Sequence, residues 1–133
     1  QVDQWVRALS PDAIINATAF SARGEEGDTP LDGAGVPVLQ LALATCARTA
    51  WAGTARGLSP ADLAMHVVLP EIDGRVFAGV ASFKESGARD PDLQFARAVH
   101  RADPERIAAI AARVAGWVAL ARKPVGGRRV ALL

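Results

Sequence analysis

Three side chains stand at types and spacings that permit chemistry: His66, Glu71 and Asp73, inside the run His66-Val67-Val68-Leu69-Pro70-Glu71-Ile72-Asp73-Gly74-Arg75. An imidazole and two carboxylates can accept protons or bind a divalent metal, and the spacing keeps them near one helix-to-strand corner. The spacing matches no standard metal signature such as His-Glu-x-x-His. A blander arrangement fits the local pattern too, with Glu71 and Asp73 in a solvated turn before Gly74 and His66 packed on a helix face. Local pattern leaves both open.

Other chemistries find less support. Gly53 to Gly57 and Gly126-Gly127 lack the lysine and hydroxyl of a Gly-x-x-x-x-Gly-Lys-Ser/Thr phosphate loop, and no Gly-x-Gly-x-x-Gly follows the first strand. Ser21, Ser82 and Ser86 lie outside any Gly-x-Ser-x-Gly elbow. Cys46, the only cysteine, follows a strand end where α/β sheets bind ligands, yet also suits a small buried hydrophobe. Asn16 and Thr18 either face a cleft near Phe20-Ser21-Ala22-Arg23 or bond internally to neighbouring loops.

The elements that must hold these residues follow from periodicity. Val2 to Leu9 reads as the end of a helix with Trp5 and Leu9 on one face. Asp12 to Phe20 and Val36 to Ala44 read as buried strands, with Pro37 tolerable only near a strand start. Ser21 to Gly35 is a glycine-rich acidic loop, and Thr45 to Leu58 a loop with a helical turn at most. Ser59-Pro60-Ala61-Asp62 opens a helix by capping, and Pro70 is expected to end it. Arg75 to Lys84 reads as a strand, followed by a polar connection through Asp90-Pro91-Asp92. Asp103-Pro104-Glu105 opens the longest helix, whose apolar residues recur from Ile107 to Ala121 at three and four. It ends near Lys123-Pro124, and Gly126-Gly127 leads to a last strand. Alternating strands and helices predict an α/β fold: a mostly parallel sheet with flanking helices, part of a flavodoxin-like or doubly wound domain spanning residues 1–133.

The 133 residues suit one domain, large enough to bury roughly two thirds of its unfolded surface. Net charge is +1, with no basic stripe interleaved with aromatics, so nucleic acid is not indicated as a partner. No apolar run reaches membrane-spanning length, and no charged start precedes an apolar segment, so a cytoplasmic setting is expected. The chain starts at Gln1 and stops within the apolar run Val130-Ala131-Leu132-Leu133, which reads as a piece of a larger protein.

With these segments in place, the chain resembles the large subunit of aerobic cobaltochelatase, a relative of the magnesium chelatase H subunit. The resemblance is carried by Asn16-Ala17-Thr18-Ala19-Phe20-Ser21, Val36-Pro37-Val38-Leu39-Gln40, Arg56 to Ala64 (RGLSPADLA), Val67 to Arg75, Ser82-Phe83-Lys84-Glu85, Asp103-Pro104-Glu105-Arg106-Ile107 and Arg128-Arg129-Val130-Ala131. They run in family order across nearly the whole chain. The loop from Arg23 to Gly35 lacks a Gly-Gly-Pro-Ala-Gly type segment, which favours the cobalt branch. The resemblance implies a subunit that binds a tetrapyrrole (corrin) substrate and Co²⁺ as substrate metal, inserting it into hydrogenobyrinic acid a,c-diamide. ATP and Mg²⁺ would be used by separate AAA+ type partner subunits, not by this chain. Insertion removes two pyrrole protons and strips water from the metal, so the expected catalytic carboxylates are Glu71 and Asp73, with His66 and Glu71 as metal ligands. The isolated piece is expected to be inactive. A magnesium chelatase segment, and a non-catalytic module that scaffolds the parent or docks its partners, remain the alternatives.

Overall fold

A computed structural model describes residues 2–131. Four strands lie side by side in the order β1 (Ile14–Asn16), β2 (Val38–Ala44), β3 (Val76–Asp90) and β4 (Phe95–Ala102). β1, β2 and β3 are parallel, with Ile14 opposite Val38 and Leu39 opposite Val76; β4 runs antiparallel to β3. The expected mostly parallel α/β sheet with flanking helices is what forms. Its strands advance in one direction, with no reversal of order among the described residues.

β2 and β3 are the inner strands, and Leu39, Ala42 and Ala44 of β2 are fully buried. Two clusters form the core. Leu39, Ala78, Ala81 and Ile110 pack beneath α5 (Pro104–Arg122), while Ala42, Ala44, Val80 and Phe83 pack with Trp51 of α2 (Arg48–Ala52) and with Cys46 and Leu58. Gly79 has φ +146°, and a Cβ there would stand 3.2 Å from Ile110, so the close approach of α5 requires glycine. Arg106 Nε and Arg113 Nη1 of α5 donate to the Val80 and Ala78 carbonyls, upstream of where pairing with β4 begins.

The helix starts behave as their caps dictate. Asp103 Oδ1 accepts from the Arg106 amide at 3.1 Å, and Ser59 Oγ accepts from the Asp62 amide at 3.0 Å. The first helix, α1 (Val2–Leu9), also forms as expected, although Trp5 and Leu9 are exposed.

Four expectations need correction. Pro70 does not end its helix: α3 (Pro60–Leu63) passes through a π turn at Ala64–Val68 into α4 (Leu69–Ile72), with Pro70 buried inside. In the π turn the Leu69 amide bonds to Ala64 O, five residues back. Pro70 has no amide for the next carbonyl, Met65 O, and the Phe20 amide takes its place at 2.9 Å. β1 is much shorter than Asp12 to Phe20 and half-exposed, because it is an edge strand rather than one covered on both faces. The polar connection after Lys84 is a hairpin: β3 continues to Asp90, and Asp90 Oδ1 accepts the Asp92 and Leu93 amides to make the turn. Its outer part has polar residues on both faces because it stands away from the core, which hides the strand from periodicity. Finally, among the described residues no strand follows Gly126-Gly127. A 3₁₀ turn at Val125–Gly127 precedes irregular chain, in which Arg128 caps the Ala121 and Lys123 carbonyls and Val130 is 88% exposed. The end of that expected strand, Leu132-Leu133, lies outside the described residues.

Candidate functional site

The corner between α4 and β3 is built around Asp73. The chain turns there with Gly74 at φ +75°, and the Gly74 and Arg75 amides bond back to Glu71 O and Pro70 O. This leaves the Asp73 carboxylate enclosed, and both oxygens are engaged. Ser21 Oγ donates to Oδ1, the Ala22 amide donates to Oδ2 at 2.7 Å, and Arg75 Nη2 stands 2.9 Å from Oδ2. Arg23 Nε lies 3.9 Å from Oδ1 while its Nη2 donates to Ile72 O at 2.5 Å. Burial alone would raise the Asp73 pKa. The Ser21 and Ala22 bonds and the Arg75 and Arg23 charges outweigh it and hold the carboxyl below its ordinary value. Asp73 therefore fastens the loop after β1 to the helix end.

Arg75 carries the clamp into the sheet. It is buried, and its Nη1 donates to Gln40 Oε1 at 3.2 Å and to Phe20 O at 3.4 Å. Gln40, on β2, accepts from Asn16 Nδ2 at 2.7 Å and donates to Thr18 O and Leu41 O. Thr18 Oγ1 in turn donates to Asn16 Oδ1 at 2.8 Å. Asn16 and Thr18 thus take the internal-bonding alternative.

Glu71 is a different case. It sits one residue before the helix end, exposed, with no side-chain hydrogen bond or ion pair among the described residues. It is the free carboxylate of the corner. His66 is buried on the π turn, and the charged groups that act on it are Asp62 and His100, not Glu71 or Asp73. Burial lowers its pKa; Asp62 opposes the shift and His100 adds to it. Asp62, fully enclosed, accepts the Thr45 amide and hydroxyl through Oδ2, both at 3.0 Å. Asp62 Oδ1, His66 Nδ1 and Arg75 Nε are the buried side-chain atoms without a hydrogen-bond partner among the described residues. There is also no group of three or more His, Cys, Asp or Glu side chains placed to hold a metal ion among them. The structure therefore joins Asp73 to the loop after β1, leaves Glu71 free beside it and sets His66 apart, under the influence of Asp62 and His100.

Sequence reasoning missed Ser21, Arg23, Gln40 and Asp62 as partners in these networks. A glutamine inside an otherwise apolar strand was the one available signal, since a buried amide requires partners. Cys46 is a free, half-buried thiol packed beside the core.

A family model described as CobN/Magnesium Chelatase matches residues 1–133. Aerobic cobaltochelatase subunit CobN of Pseudomonas aeruginosa is 37% identical over 135 residues, an alignment covering 100% of this chain and 11% of that protein. The CobN subunit from Sinorhizobium sp is 33% identical over 127 residues, 93% of this chain and 10% of that protein. A solved structure titled catalytic subunit of cobaltochelatase from Mycobacterium tuberculosis matches with TM-score 0.65 and 33% identity, covering 90% of this chain and 10% of that one. This chain spans about a tenth of the length of the relatives it matches, and over its full length it belongs to the CobN/magnesium chelatase family.

Proposed function

We propose that this chain is a segment of the tetrapyrrole-binding subunit of a cobaltochelatase, the parent inserting Co²⁺ into hydrogenobyrinic acid a,c-diamide. ATP hydrolysis and its Mg²⁺ belong, in this reading, to AAA+ type partner subunits, in a nitrogen–metal bond-forming ligase working in the cytoplasm. The cobalt reading is supported by relatives carrying the cobaltochelatase name rather than that of a magnesium enzyme. At the level of residues, one observation carries it. Asp73 is fully engaged in a clamp that holds the loop after β1, and Glu71 stands unpaired and exposed on the same corner.

Macrocycle metalation needs an acceptor for pyrrole protons and an oxygen ligand that can exchange water on the incoming metal. Glu71 can serve both roles. Asp73 serves catalysis by fixing the corner, because its lowered pKa and four polar neighbours leave it little capacity to take a proton. His66 is buried and its charged neighbours are Asp62 and His100, so Glu71 ranks before it. Replacing Glu71 with Gln in the full subunit is expected to cut cobalt insertion at least tenfold, on the scale of a lost general base, with ring binding and folding retained. Unchanged turnover overturns the assignment.

A second reading has its own support. The tip of the β3–β4 hairpin exposes Leu93 and Phe95, at 74% and 61%, on a ribbon that reaches away from the core. A scaffold or partner-docking module would present such a ribbon. In that case charge reversal at Arg97 and Arg101 would weaken subunit assembly, and Glu71 changes would leave the chemistry untouched.

A further inference from the structure

Among the described residues, three that are not glycine have positive φ: Ser10, Phe20 and Gln94. Two have local reasons. Ser10 Oγ bonds back to Arg7 O at the end of α1, and Gln94 closes the hairpin turn through Arg89 and Pro91. Phe20, at φ +67°, has no side chain that can bond, and left-handed backbone is disfavoured for a bulky residue. It is held there from outside. Its amide donates to Met65 O, its carbonyl accepts from Arg75, and the next two residues are clamped on Asp73. Strain of this kind persists where surroundings over-determine it, and such positions cluster at binding sites. Burial of the ring is not what the strain achieves, since Phe20 remains 54% exposed. What it achieves is a half-exposed phenyl ring on a backbone held at both amide and carbonyl, beyond the carboxyl end of β1 and just before the residues clamped on Asp73.

A rigidly presented aromatic face binds flat unsaturated molecules with little ordering cost. We propose that Phe20 is a stacking platform for the face of the macrocycle, positioning it over the Glu71 corner. The proposal rests on the tetrapyrrole reading above and adds a residue to it. Arg23, three residues on, donates to Ile72 O and lies beside Asp73, so it helps hold the loop that carries the platform.

The test uses the full-length subunit and titration with metal-free hydrogenobyrinic acid a,c-diamide, followed by the ring's own absorbance and fluorescence. Phe20→Trp keeps an aromatic face and should bind within about threefold of wild type; Phe20→Leu keeps the apolar bulk but loses the face and should bind roughly tenfold more weakly. Phe20→Gly should weaken ring binding while raising the melting temperature, because glycine occupies φ +67° freely. If Phe20→Leu binds like wild type while wild type binds the ring, the platform is wrong and the tetrapyrrole reading stands. Loss of folding stability in Phe20→Leu with unchanged ring affinity would make Phe20 a packing residue and overturn it equally. Failure of the wild-type subunit to bind the ring would remove the tetrapyrrole reading, and the platform with it.

Discussion

Asp73 and Glu71 are two residues apart and have opposite fates, and the difference lies in what surrounds each carboxylate. Asp73 faces the buried guanidinium of Arg75, so removing its charge leaves that guanidinium without a counter-ion. Breaking a buried pair from one side costs about 3–5 kcal/mol, and Asp73→Asn should lower stability by an amount of that order in a denaturant titration. Because the folded pKa of Asp73 lies below its unfolded value of 3.8, its contribution is complete above that value. It is lost as pH falls from 3.8 through the lower folded pKa, so the stability of wild type should fall more steeply with pH across that interval than that of Asp73→Asn. Glu71 has no partner to lose, and Glu71→Gln should change the melting midpoint by less than about 0.5 kcal/mol equivalent. That contrast separates a structural carboxylate from one free to react. The sequence placed both residues at one corner. It could not rank them, because the ranking depends on Ser21, Ala22 and Arg75 meeting Asp73 across about fifty residues of chain or across a turn.

The continuous helix from Pro60 to Ile72 shows how an element depends on its neighbours. A proline in its interior predicts a stop, and in isolation that rule is sound. Here the π turn at Ala64–Val68 and the Phe20 amide together satisfy the backbone that Pro70 leaves open. Caps, in contrast, are local devices, and both Ser59 and Asp103 were legible. Ser59→Ala should cost about 1 kcal/mol of stability. The contact between α5 and β3 is tight at one point, where Ile110 lies over Gly79. Gly79→Ala should destabilise by about 1–3 kcal/mol, since it adds volume and forces an L residue to φ +146°. The hairpin tip marks the other extreme. It buries nothing among the described residues, so alternation gave no core-facing signal for β4 and the segment read as a polar connection.

At the scale of the molecule, the sheet of three parallel strands with one antiparallel neighbour brings the loop after β1 and the end of α4 to one corner. That placement joins residues 16–23 and 71–75 in one hydrogen-bonded network. The chain matches relatives about nine to ten times its own length. On the proposed reading, the macrocycle, its metal and the partner subunits engage more surface than this corner supplies, so the isolated chain should insert no cobalt in a chelation assay. Insertion by this chain alone would show the corner to be sufficient.

Sequence by itself determined what is local or carried in order along the chain. It yielded the two capped helix starts, the buried strand β2, the α/β alternation and the ordered motifs of the CobN/magnesium chelatase family. Tertiary structure alone decided which polar groups are used up and which are free. Asn16, Gln40, Arg75 and Asp73 are consumed in one network from β1 to α4, His66 is enclosed with Asp62, and Glu71 is left open. The physical reason is that hydrogen bonding and burial are set by distance in space. A carboxylate's partners come from whichever strands the sheet lays beside it.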